Sequence, residues 1–307
     1  MIKALNKISS EQSLAQLPIV RGKYVFDALL APLTWFQVGG PAQILFKPHD
    51  AEDLANFLQN ISIDLPYFVL GAGSNVLIRD GGYEGLIIKL GKNFSQITLE
   101  NDLLIAGAAA LDRSVAMTAL THNLKGFEFL VTIPGSIGGA IAMNAGCYGS
   151  EIKDILAWVE GVDHRGEIIR LTNSELNMSY RKAQLPKGYI VTKAAFHALS
   201  GDTVEIQHKI QEYLKLREES QPTKCRTGGS TFKNPDNAKA WELIANSGCR
   251  GITIGGAKIS EKHCNFMLNI GKATAADLED LGELVKSKVK ANSNQDLEWE
   301  IIRIGKK

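Results

Sequence analysis

Short runs of β-branched and aliphatic residues recur along the first two-thirds of the chain, each bounded by glycine or another turn former. YFVL at 67–70, VLI at 76–78, LIIKL at 86–90, LLIAG at 103–107, ILAWVEGV at 155–162, EIIRL at 167–171 and YIVTKAAFHAL at 189–199 have the length and composition of strands. Several alternate as a half-buried sheet face requires. Helical spacing interrupts this pattern rarely. Asp50 caps a helix over AEDLANFLQN, with Leu54, Phe57 and Leu58 on one face and Asp53 at the positive N-terminal end. DRSVAMTALTHN predicts a second helix. The clearest begins near Asp202 or Thr203, with Ile206, Ile210, Tyr213 and Leu214 at helical spacing and a charged opposite face through KLREES. Beyond it the pattern is more helical. NAKAWELIANSG ends at Gly248, a helix capped by Thr274 carries Leu278, Leu281, Val285 and Val289, and LEWEIIRI closes the chain as a strand. These shifts divide the chain into an N-terminal segment over 1–30, an α+β region over 31–200 that splits near residue 71, and a smaller α+β domain over 203–307.

Composition narrows the class without naming a chemistry. The 307 residues suffice for about two domains, and 45% apolar with 22% charged residues is ordinary for a globular protein. A net charge of +1, with lysine and arginine dispersed, gives no stripe for a polyanion, so nucleic acid is not an expected partner. The opening MIKALNKISSEQSLAQLP lacks the apolar core of a signal peptide, and no stretch approaches the roughly 18 apolar residues of a membrane span. The expected setting is the cytoplasm, with no membrane partner, and the expected state is a monomer. Cys147, Cys225, Cys249 and Cys264 form no C-x-x-C pair, so reduced structural thiols and no metal site are predicted. Cys147, in the glycine-rich NAGCYG, is the one to watch, although a small packing residue is the favoured reading.

Glycine clusters carry the first chemical signal. In VLGAGSNVLI, Gly71 and Gly73 follow a strand directly and can adopt backbone angles that turn successive N–H groups toward an anion such as a diphosphate. No G-K-[ST] follows and VLIRD continues as a strand, so neither a P-loop nor a dinucleotide-binding fingerprint fits, and a tight turn is the plain alternative. In IPGSIGGAIAMNAGCYG, Gly135, Gly138, Gly139 and Gly146 lie beside Ser136 and Asn144, a density suited to close approach of a flat, phosphate-bearing cofactor. A glycine-packed helix start with Pro134 in its first turn is the alternative, and it leaves NAGCYG unexplained.

TWFQVGGPAQ, LGAGSNVLI, IPGSIGGAIAMNAGCYG, SYR, GGSTFKNP and LEWEIIRIG occur together, from about Thr34 to the C-terminus, in an order that resembles the UDP-N-acetylenolpyruvoylglucosamine reductases, also called UDP-N-acetylmuramate dehydrogenases. The resemblance implies an α+β fold, with an FAD-binding domain of the vanillyl-alcohol-oxidase and p-cresol-methylhydroxylase type and a smaller α+β substrate-binding domain. It implies noncovalent FAD, NADPH as reductant, a UDP-sugar substrate and a place in peptidoglycan precursor synthesis. Carried across by motif, the FAD contacts are Gly71, Ala72, Gly73, Ser74 and Asn75 on one side, with Pro134, Gly135, Ser136, Ile137, Gly138, Gly139, Asn144, Ala145 and Gly146 on the other.

The implied reaction delivers hydride to C3 of an enolpyruvyl ether and leaves negative charge at C2, so the site needs charge stabilisation and a proton. Arg181, in NMSYRKAQLP, offers a planar guanidinium that matches a carboxylate. Ser230, in RTGGSTFKNP, is the implied proton donor, a turn serine being the plain alternative. Lys233 and Asn234 are implied substrate contacts. Glu300 alternates with Glu298 and so shares a strand face with it, and the resemblance selects Glu300 as the third catalytic residue, its pKa raised by burial. His263 and Asn265, in GGAKISEKHCNF, line the nucleotide side or serve the fold. The chain passes from Arg181 through QLPKG to Tyr189 without the inserted tyrosine loop of some members, and Ala183 stands where a serine is frequent. Another flavin oxidoreductase of the same superfamily, or a binding module without turnover, remains the alternative.

Overall fold

The structure is a computed structural model and describes residues 17–61 and 65–307. Its first sheet is built from β1 (Lys23–Leu29), β2 (Pro41–Lys47), β3 (Tyr67–Val69) and β5 (Tyr83–Ile88), in the order β1-β2-β5-β3, while β4 (Val76–Ile78) leaves it for another partner. Only the β1–β2 pairing is antiparallel. Helix α1 (Ala51–Asn60) covers this sheet with Leu54, Phe57 and Leu58, packed on Ile44, Phe46, Leu86 and Ile88. Each such burial contributes about 1.5–3 kcal/mol. Asp50 caps the helix as its sequence predicts, and Asp53 does more, accepting backbone N–H groups from Arg21, Gly22 and His49. Of the expected N-terminal segment over 1–30, residues 1–16 lie outside the described residues, and the remainder enters the sheet as β1.

A second, fully antiparallel sheet follows, made from β6 (Ile97–Glu100), β7 (Leu103–Gly107), β8 (Leu156–Val162), β9 (Ile168–Thr172) and β10 (Ile190–His197) in the order β9-β8-β10-β7-β6. Between β7 and β8 the chain forms α2 (Asp112–Thr121) and the short α3 (Ile137–Ala142), whose Ile137 and Ile141 plug into the core beneath the sheet. The glycine-packed helix start is therefore real, and the residues before and after that helix remain on the surface of a cavity.

Helix α4 (Thr203–Ser220) corrects one expected boundary. Its Ile206, Ile210 and Tyr213 are buried with Phe127, Phe129, Leu130 and Val131, so the helix belongs to the first core and not to a domain starting at 203. The second core starts after it. Helix α5 (Ala240–Asn246), strands β11 (Thr253–Ile254), β12 (Ala257–Ile259) and β13 (Met267–Asn269), and helix α6 (Ala275–Ser293) enclose Ile244, Ile259, Met267, Leu278, Leu281, Val285 and Val289. Phe36, Val38 and Leu77 from the first half of the chain complete this core.

The closing strand is shorter than its sequence suggests. Only β14 (Ile302–Ile304) is regular, and it pairs in parallel with β4, which directly follows the 71–75 glycine turn. Arg79 grips Glu279 through Nε at 2.9 Å and Nη2 at 2.8 Å, and Asp80 accepts the N–H groups of Ala275 and Ala276 at the start of α6. Among the described residues no helix is long and apolar enough to cross a membrane.

Candidate active site

Two adjoining cavities, of about 430 and 250 Å³, lie where the sheets and the second core meet, and Gly71, Ala72, Ser136 and Gly139 line both. Gly73, Ser74, Asn75, Pro134, Gly135, Ala145 and Gly146 line the larger and Gly138 the smaller. The glycine turn and the 134–139 segment thus meet as expected, and bare backbone is what this closeness requires. A Cβ on Gly71 would stand 2.8 Å from Ser136 Oγ, and Gly73 has φ +70° with the carbonyl oxygen of Leu33 2.2 Å from the place of its Cβ. The Ser136 hydroxyl makes no hydrogen bond to another described residue, and both carboxylate oxygens of the buried Asp112, on the larger cavity's wall, are likewise without partners among them. These bare amides and unspent polar groups fit a flat nucleotide cofactor.

Two of the expected cofactor contacts are used otherwise. Ile137 is fully buried in the first core. Asn144, held at φ +42°, is also fully buried. Its side-chain amide donates to Glu151 Oε2 and to the Ser179 carbonyl, and its oxygen accepts from Lys153 N. It pins the turn bearing Arg181. Asn75 lines the cavity, yet its amide donates to the Glu300 carbonyl at 3.1 Å.

Arg181, Ser230 and Glu300, far apart in sequence, line the larger cavity together. Arg181 occupies the third position of the tight Ser179–Lys182 turn at φ +56°, a conformation that costs a side-chain-bearing residue about 1–3 kcal/mol. Ala183 N donates to the Ala142 carbonyl and ties this turn to the end of α3. Arg181 Nε donates to Glu300 Oε1 at 2.8 Å, with the two side chains only 19% and 11% exposed. Breaking such a pair from one side costs up to about 3–5 kcal/mol. The terminal nitrogens of Arg181 make no hydrogen bond to another described residue. Burial pushes the Glu300 carboxyl above its ordinary value, while Arg181, and more weakly Lys233, pull against it.

Ser230 follows Gly229, which has φ +76° and open space at its Cβ position. A bridge to Phe266 holds its backbone, and Thr231 is clamped between Asn265 and Glu300 by N–H···O bonds. Its half-buried hydroxyl also makes no hydrogen bond to another described residue.

The remaining expected contacts sit outside this wall. Lys233 pairs with the exposed Glu298, whereas Glu300, two residues on, is largely buried against Arg181. Asn234 Oδ1 accepts from Ala240 N at the start of α5. Asn265 spends both ends of its amide on the Phe232 backbone, at 2.9 and 2.8 Å. His263 packs between Trp241 and Phe266, and burial lowers its pKa so that it stays neutral. Tyr189, on the wall of the smaller cavity, donates its hydroxyl to the Ile169 carbonyl. Cys147 lines the cavity with Sγ 3.2 Å from Thr132 Oγ1, and burial raises its pKa, which favours the unreactive thiol.

Two wall residues escaped the sequence reading. Asp112 carries no motif. Arg217 was included in a charged outer face, although it lies four residues beyond the buried Tyr213 and so on the same side of α4.

Comparisons with known proteins agree with this geometry. A family model described as "FAD binding domain" matches residues 42–172, and one described as "UDP-N-acetylenolpyruvoylglucosamine reductase, C-terminal domain" matches 221–304. The second begins just after α4, where the second core begins. The UDP-N-acetylenolpyruvoylglucosamine reductase of Acidiphilium cryptum is 49% identical over 95% of this chain and 94% of its own. That of Rickettsia conorii is 52% identical over 94% of this chain and 98% of its own. The crystal structure of the Thermus caldophilus reductase superposes with a TM-score of 0.81 at 33% identity, covering 94% of this chain and all of that one. The fold class is the expected α+β one, an FAD-binding domain joined to a smaller α+β domain. Identity near one half over almost the whole length, together with the two family models matched in turn along the chain, places this chain in the UDP-N-acetylenolpyruvoylglucosamine reductase family.

Proposed function

We propose that Arg181, Ser230 and Glu300 carry the family's reaction in this chain, the reduction of UDP-N-acetyl-3-O-(1-carboxyvinyl)-glucosamine to UDP-N-acetylmuramate for peptidoglycan synthesis, with NADPH as the reductant. The carrying observation is that these three residues share one wall of the cavity lined by both glycine segments. In this reading the chain up to α4 holds noncovalent FAD, through the backbone of 71–75 and of 134–139 with 145–146, and the remainder holds the UDP-sugar. We also read the enzyme as a cytoplasmic monomer, which light scattering on the purified protein tests.

Bound FAD supplies the hydride that reaches C3 of the enolpyruvyl group. The residues of the chain answer for charge and proton. Arg181, anchored through Nε, keeps its terminal N–H groups for the substrate carboxylate, where charge accumulates as C3 is reduced. Glu300 fixes that guanidinium, and burial holds its carboxyl above the ordinary value against the pull of Arg181. Ser230, with an uncommitted hydroxyl, gives its proton to C2. A hydroxyl is a weak acid, but the carbanion-like centre it meets is far more basic than water.

Anaerobic addition of NADPH to the FAD-loaded enzyme bleaches the flavin, and the enolpyruvyl sugar restores it with formation of the lactyl ether, read by mass spectrometry. Bleaching that the sugar fails to reverse overturns the assignment.

A further inference from the structure

Of the charged side chains on the wall of the larger cavity, Arg181 is neutralised by Glu300, and Asp112 is driven toward its uncharged acid by complete burial. One charge is left over. Arg217 is half-buried on the inner side of α4, beside Gln221, and forms no ion pair with an acid among the described residues. The groups whose charge reaches it are Tyr148, Cys147, Cys225 and a second cation, Arg113, from the exposed side of α2. Tyr148, stacked on Tyr213 at 4.5 Å, lines the same cavity as Arg217. Two arginines close enough to repel each other, one of them withdrawn from water without a carboxylate, form an arrangement that an anion relieves.

We infer that Arg217, with the Arg113 charge adding to its own, holds a phosphate group of a nucleotide bound in this cavity. The inference rests on the proposed reaction, whose participants bring two kinds of anion. Arg181 is assigned the carboxylate, so phosphate is the group that remains. It comes either from the diphosphate of the resident FAD or from that of the nucleotide sugar. Arginine suits either, since its planar fork donates two parallel hydrogen bonds to phosphate oxygens.

The test compares Arg217→Gln, Arg217→Lys and Arg113→Gln with the unaltered enzyme in two binding arms that do not depend on turnover. In the first, FAD is titrated into the flavin-free protein. In the second, UDP and the enolpyruvyl sugar are titrated calorimetrically into the FAD-loaded protein. Losing one charged hydrogen-bonding partner weakens binding by about 10- to 100-fold for Arg217→Gln, with a smaller loss for Arg217→Lys and for Arg113→Gln. The phosphate is that of the cofactor if the loss falls in the first arm, and that of the substrate if it falls in the second alone. The salt dependence of the affected arm decreases in the glutamine variant, which a purely structural role would not cause. Affinities within about twofold of the unaltered enzyme in both arms for Arg217→Gln, or for Arg217→Lys and Arg113→Gln together should Arg217→Gln not fold, overturn the inference. Because both arms read binding, they stand even if the chain fails to reduce the enolpyruvyl sugar.

Discussion

Replacing Ser230 with alanine removes one oxygen from the cavity wall and almost nothing else. The hydroxyl is half-buried and makes no hydrogen bond to another described residue, and the backbone is held from both sides by the Phe266 bridge and by Thr231. A side chain so lightly engaged changes stability by no more than about 0.5 kcal/mol, a shift in melting temperature below about 2 °C. The chemical loss is larger by an order of magnitude. A positioned general acid is worth about 100- to 10,000-fold, or roughly 3–5 kcal/mol of barrier. That loss falls on one half of the cycle, because reduction of the flavin by NADPH requires no proton at C2. Anaerobic stopped-flow measurement of both halves separates them, with reduction nearly unaffected and reoxidation by the enolpyruvyl sugar slowed by the full factor. Equal slowing of both halves, or a melting temperature lowered by several degrees, refutes the donor role.

Three further outcomes follow from the same geometry. Arg181→Met removes the cation that holds the Glu300 pKa down, so this carboxyl rises further. A carboxyl raised in the folded state leaves stability intact below the ordinary carboxylate value and drains it as pH climbs toward the raised one, so the variant's deficit in melting temperature grows with pH, and a deficit independent of pH refutes the coupling. Asp112→Asn is read in the flavin-free protein by the same sign: burial alone holds Asp112 well above its ordinary value, the asparagine cannot ionise, and the variant gains on the parent as pH rises through that window. Parallel curves would contradict it. In Gly71→Ala the added methyl stands 2.8 Å from Ser136 Oγ, so the hydroxyl must rotate away and the methyl covers backbone that lines both cavities, raising the FAD dissociation constant by about tenfold, or roughly 1.4 kcal/mol; an unchanged flavin-to-protein ratio on dilution counts against it.

Periodicity and glycine placement made much of this molecule legible. The runs at 67–70, 76–78, 103–107, 155–162 and 189–199 became strands, and the Asp50 and Thr274 caps are where the pattern puts them. What escaped depends on partners distant in sequence. Helix α4 looks like the start of a new domain because its charged face dominates the pattern, and only the packing of Ile206 and Ile210 on Phe129 and Val131 reveals its allegiance. Strands β1 and β2 mix polar and apolar residues, and β1 is an edge strand, so neither shows a clean alternation. At the site, Arg181, Ser230 and Glu300 were reached through motif order, whereas spacing alone treated Glu298 and Glu300 as equals. Asn144 and Asn265 stand in motifs beside the chemistry, yet their amides are consumed by the backbone, and a sequence does not display how an amide is spent.

Asn75 ends the glycine turn proposed to carry the cofactor, and it touches the catalytic strand twice, donating to the Glu300 carbonyl and accepting from Ile302 N. Cofactor loop and substrate wall are in effect one piece of backbone. Any settling of residues 71–75 onto a bound cofactor reaches Glu300 through the Asn75 amide, and Arg181 through the Glu300 carboxylate. Occupancy of the two sites is then thermodynamically linked: if FAD tightens the grip on the nucleotide sugar by some factor, the sugar must slow the escape of FAD or speed its capture by the same factor overall. In a cell short of flavin, abundant substrate would therefore help to keep the enzyme loaded.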